Sequence, residues 1–179
     1  MTARRLTQMV VASFLGPLFL STLCFGCERD SGHSVSAAPE PPRALVGSTK
    51  PCASSSPSAR RAVRLEREGR MRIERYPYDQ TDGVRGTFLL LEATDCYRAA
   101  GLVSAASRAG ATARRFATVL EADYAAARVA IEHSLSKKRW SDVRQQVQRL
   151  LALTAHMHPS PYVDWLRAIA ALANSHDES

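Results

Sequence analysis

Four cysteines, a His-Met-His triplet and one pair of neighbouring acids are the residues of this 179-residue chain whose types and spacing could carry chemistry. Cys24 and Cys27 stand in a Cys-x-x-Cys spacing that suits metal binding or thiol redox work. His156 and His158 offer two imidazoles, and a third metal ligand would have to come from Glu121 or Asp123. Residues two apart on a helix point to different sides, so the two acids diverge, and the two histidines could chelate a metal only at the fraying helix end beside Pro159. A general acid and base pair is not expected from Glu121 and Asp123 for the same reason. The chain also has no glycine-flanked serine suited to a nucleophile and no glycine-rich phosphate loop. It therefore predicts no catalytic residue, no bound metal and no cofactor.

The context of the first two cysteines changes their meaning. Arg4 and Arg5 precede an apolar stretch over 9–23 ("MVVASFLGPLFLSTL"), and no acidic residue occurs before Glu28. A basic start, an apolar run of this length and small residues near its end describe a bacterial export signal. The Cys-x-x-Cys spacing lies inside it, which removes the metal and redox readings. With Gly26 before Cys27 at the close of the apolar run, the region resembles a bacterial lipoprotein signal. That family favours Leu three residues before the modified cysteine, and Cys24 occupies the place here. Cys24 is the alternative site, with Leu23 immediately before it and Ser21 at the Leu position.

The resemblance implies cleavage after residue 26 and acylation of Cys27. Glu28 in place of Asp implies no inner-membrane retention, and so the outer membrane facing the periplasm. Several acyl chains anchor firmly where one holds poorly, each buried methylene contributing about 0.8 kcal/mol. Two other fates stay open, an uncleaved anchor at the inner membrane and secretion after ordinary cleavage.

Export places Cys52 and Cys96 in an oxidising compartment, where the pair could form a disulfide. Alternatively Cys96 is a small buried hydrophobe and Cys52 a free thiol. The chain carries a net charge of +7, falling to +5 if Arg4 and Arg5 leave with the signal. Arginines outnumber lysines 21 to 3, so any basic surface is an arginine surface. Anionic lipid, lipopolysaccharide and nucleic acid all suit such a charge, and export argues against nucleic acid.

Three segments follow from composition: a signal over 1–26, a disordered Ser/Pro/Ala-rich tether over 27–58 and a helical domain over 59–179. "SAAPEPPR" and "CASSSPS" hold too little apolar surface to offset the entropy of ordering. Beyond them no segment alternates like a strand, and the fold class is all-α. The spacing predicts a charged, largely solvent-facing helix over 59–75, then a break at "YPYDQTDG". A second helix over 83–100, capped by Asp82, carries apolar residues nearly all round and should be the most buried. A long helix runs to about residue 136, with small residues at its inward positions in the first half. A further helix capped by Ser141 carries Val143, Val147, Leu150, Leu151 and Thr154, and a capping helix spans about 161–174.

Around Gly101 the spacing of Leu90, Tyr97, Ala106 and Ala113 resembles a tetratricopeptide hairpin, with Thr94, Gly110 and Thr118 departing from the family's pattern. A second unit would turn at "KKRWSDV", so the resemblance spans about 86–153. The alternative is an ordinary small helical bundle. The resemblance implies recognition of a protein partner by a helical face rather than catalysis. Tyr76, Tyr78, Trp140, Tyr162 and Trp165 are the candidate partner-binding residues, since Tyr and Trp serve interfaces well. The expected role is a non-catalytic scaffold or accessory subunit, joined to the membrane by lipid and to another envelope protein. The second expectation is a membrane-surface bundle that binds anionic lipid through arginine, and the third a metal-assisted enzyme.

Overall fold

The structure is a computed structural model that describes residues 37–42, 44–47, 52 and 58–176. The signal region, with Cys24 and Cys27, lies outside the described residues. Among the described residues five helices follow one another: α1 (Ser58–Arg75), α2 (Gln80–Ala99), α3 (Val103–Ser136), α4 (Trp140–Thr154) and α5 (Pro161–Ser175). The protein is all-α, and each helix packs on the next in the chain. No helix among the described residues is long and apolar enough to cross a membrane.

The helix ends follow local chemistry, in two places not as the sequence predicts. Asp79, not Asp82, caps α2, its carboxylate accepting from the Thr81 amide at 2.9 Å. Asp82 sits one turn in, where its carboxylate serves α1 instead. Ser141 caps nothing: α4 starts at Trp140 behind Arg139, which makes no side-chain capping bond. The tight end of α3 leaves Ser141 already inside the helix.

Helices α2 and α3 end alike. Leu102 N donates to Tyr97 O and Gly101 N to Arg98 O, around Gly101 at a φ of 75°. At the end of α3, Arg139 N donates to Ser134 O and Lys138 N to Leu135 O, and Lys138 takes a φ of 54°. Each pair of bonds satisfies carbonyls that a helix end would leave open.

At about 1.5 Å per residue, the 34 residues of α3 run roughly 50 Å, long enough to serve two cores. Its first half is lined by Ala106, Ala109, Gly110 and Ala113, which lets α2 approach closely. Ala62 and Leu65 of α1 complete that smaller core with Ala93, Cys96 and Tyr97. In its second half Leu120, Tyr124, Ala127 and Ile131 meet Val143, Val147, Leu150 and Leu153 of α4 and Leu166 and Ile169 of α5. The helix is unbroken through Thr118, so one continuous helix joins the turn at Gly101 to the turn before Trp140. Two departures from the tetratricopeptide pattern face each other. A Cβ on Gly110 would stand 3.3 Å from Thr94 Cγ2, so Thr94 fills space that a large residue at 110 would need.

Helix α1 is more firmly held than its charge predicts. Gly69 of α1 and Gly86 of α2 lie backbone to backbone, and a Cβ on Gly86 would come within 2.8 Å of the Gly69 carbonyl oxygen. Across the same contact Leu90 packs against Gly69. Ala62, Leu65, Gly69 and Ile73, three and four residues apart, give α1 a narrow inward stripe that its charged sequence hides, and the close approach at Gly69 lies on it.

The segment read as a tether is not all free. Leu45 is 2 % exposed and belongs to the larger core, with Val46 packed beside it. It lies beside α4's end, where its carbonyl is 2.7 Å from His156 Nε2. Farther along, Cys52 is disulfide-bonded to Cys96, with the two Cα atoms 5.0 Å apart. Leu45 and Val46 are adjacent large aliphatics in an otherwise Pro, Ser and Ala stretch, enough apolar surface to overturn the reading of full disorder at that point.

Candidate functional site

The five aromatic candidates do not make one surface. Tyr76 and Tyr162 are buried, Trp140 and Trp165 are half-buried against the larger core, and Tyr78 is 90 % exposed. Pro77 separates the two loop tyrosines, and Tyr76 turns inward to lay its ring on Gly83, where a Cβ would be 2.1 Å from Tyr76 Cδ2. The ring meets Phe116 edge-on at 5.2 Å, and its hydroxyl donates to Asp123, which also takes Arg149 Nη2 at 3.0 Å. Burial, and then the Asp123 carboxylate, push that hydroxyl's pKa up. Asp123 Oδ2 thus forms a bridge between the α1–α2 loop and α4.

A second aromatic group runs from α3 to α5. Tyr124 and Tyr162 meet at 6.3 Å, Tyr162 and Trp165 at 5.8 Å, and the Arg128 guanidinium lies 5.8 Å from the Tyr124 ring centre. Burial raises the pKa of both tyrosines. Trp140 stacks on His176 at 4.2 Å, joining the start of α4 to the end of α5. These residues lock helices together, which is why aromatics beside prolines read as a recognition patch in sequence and as staples in space.

His156 is engaged with the Leu45 carbonyl and lies 5.3 Å from the Phe88 ring, while His158 is exposed. No group of three or more His, Cys, Asp and Glu side chains suited to a metal occurs among the described residues.

The densest charged cluster is one that sequence reading passes over. Asp82 accepts from Arg72 Nη1 at 2.6 Å and from Arg75 Nε at 2.7 Å, and Arg72 also reaches Glu68 at 3.2 Å. Arg61 bonds Glu92, and Tyr97 donates its hydroxyl to Glu66 Oε2 at 2.7 Å. Burial and then Glu66 push Tyr97 up to about 12. Burial works against the Glu66 carboxylate too, yet bonds from Tyr97 and Arg70 outweigh it and hold its pKa below the usual value. The available signal was the run of arginines in α1 three and four apart, opposite acids on α2. It names the residues without their partners.

No protein-family model, curated protein or solved structure matches this chain. What the geometry can do therefore has to be read from the residues themselves. The ionic cluster is shared between α1 and α2, every partner is fixed, and it is suited to holding the two helices in register.

That role gives a pH dependence. The bond from Arg75 first, and then that from Arg72, hold the Asp82 carboxyl below its ordinary value of about 4, against the opposing effect of burial. Its contribution to stability is therefore complete above that ordinary value and is lost as pH falls through the lowered native one. Asp82→Asn should flatten the acid limb of the stability profile while leaving the slope above neutrality unchanged. Denaturant titrations across acidic pH measure this, and an unchanged acid limb would remove Asp82 from the account.

Proposed function

We propose that this protein is a non-catalytic, lipid-anchored component of a bacterial cell envelope, most consistent with the outer membrane. Its five-helix domain serves as a scaffold or accessory subunit for another envelope protein. The observation that carries the reading is the Cys52–Cys96 bond, because cytosolic thiols are kept reduced and persisting disulfides belong to exported proteins. It agrees with the basic, apolar and small-residue order of the first 27 residues. The committed ionic and aromatic side chains favour a rigid surface over a reaction centre. Tyr78, at 90 % exposure on the α1–α2 loop, is the most exposed of the five partner-binding candidates.

Mass spectrometry of protein extracted from native membranes tests the anchor. The expected first residue is Cys27 carrying a diacylglyceryl thioether and an acylated amine, and Cys27→Ser should abolish the label. Retained label in that variant would move the site to Cys24. A chain that starts elsewhere with unmodified thiols, or that keeps its first residues, would overturn the anchor.

A further inference from the structure

One end of the domain has an aliphatic tip within a collar of cations. At the α2–α3 turn Leu102 is 44 % and Val103 75 % exposed, with Ala99 and Gly101 exposed beside them. Helix α1 is bound antiparallel to α2, as the Arg61–Glu92, Gly69–Gly86 and Arg72–Asp82 contacts require, so its first turns flank the last turns of α2. Exposed Arg60 and Arg64 therefore share this end with exposed Arg98 and Arg108. Arg98 is paired with Asp95, whereas Arg60 and Arg64 make no ion pair among the described residues. Both α1 and α3 begin here with no acidic residue in the first turn, beside the C-terminal end of α2.

We propose that this end docks on an anionic phospholipid bilayer, Leu102 and Val103 entering the headgroup boundary while Arg60, Arg64 and Arg108 meet lipid phosphates. Charge complementarity names the occupant. Surplus cations around exposed aliphatics match a surface that is anionic outside and hydrocarbon just beneath. The inference rests on the lipid-anchored reading for a bilayer within reach. The stretch from Cys27 to Leu45 can extend about 60 Å at full length, roughly twice the length of α2, so the anchor and the tip can meet the same membrane. Docking would fix which end of the scaffold faces away, towards its partner.

Hydrogen exchange of the full processed protein tests it, on vesicles of phosphatidylcholine alone and of phosphatidylcholine with phosphatidylglycerol. Backbone amides at 58–64 and 101–108 should exchange more slowly on the anionic vesicles only, with the protection lost at high salt. Arg60→Gln with Arg64→Gln should lower the ratio of docked to undocked tips about thirtyfold, from roughly a factor of five per cation withdrawn from the anionic surface. Val103→Ser should weaken protection without changing its salt dependence. All three residues are exposed, and an unchanged melt confirms that the variants fold. Protection that is absent, equal on neutral lipid or confined to α4 and α5 would overturn the docking. Failure to sediment with neutral vesicles would instead count against the anchor and leave the anionic comparison standing.

Discussion

Replacing Leu90 with aspartate abolishes the cooperative unfolding of the helical domain. Leu90 is fully buried and presses on Gly69, where α1 and α2 make their closest approach. An unpaired carboxylate there would lose its solvation and force apart two backbones that have no room to adjust. The expected cost is about 5 kcal/mol or more, comparable with the whole stability of a domain this size. Leu91→Asp is the control. Leu91 is half-buried in a shallow recess with Asp95, Arg98 and Arg114, so a carboxylate at 91 stays hydrated near two guanidiniums. That variant should keep a cooperative melt and lose about 1–2 kcal/mol. Thermal unfolding followed by circular dichroism distinguishes them, and a cooperative Leu90→Asp melt would show that the α1–α2 contact is not central.

Reduction of the Cys52–Cys96 bond should have the next largest effect. The bond closes a loop of 44 residues, and in the chain-entropy model that constraint on the unfolded chain is worth about 4 kcal/mol. Cys52→Ala should therefore lower the urea midpoint markedly and make it indifferent to added reductant, whereas the parent protein should fall to the same midpoint only when reduced. Equal midpoints for the parent with and without reductant would mean that the bond contributes nothing. A second consequence is local. Leu45 is seated in the larger core and hydrogen-bonded to His156, upstream of the bond, so its segment should exchange faster once Cys52 is released.

The sequence by itself determined the helices. Pro77, Gly101, Pro159 and the absence of alternating segments mark breaks that depend only on backbone sterics and side-chain spacing, which act locally. It also identified the inward faces of α3 and α4, since Leu120, Tyr124, Ile131, Val143 and Val147 recur at helical steps. Only the tertiary structure decided which polar and aromatic residues are spoken for. Asp82 looks like a cap until two arginines of α1 arrive across the hairpin, and Tyr76 looks like an exposed recognition residue until Gly83 provides its seat. Leu45 reads as tether because its seat is built from helices far along the chain. Such assignments depend on long-range partners, and nearest-neighbour chemistry carries no record of who those partners are.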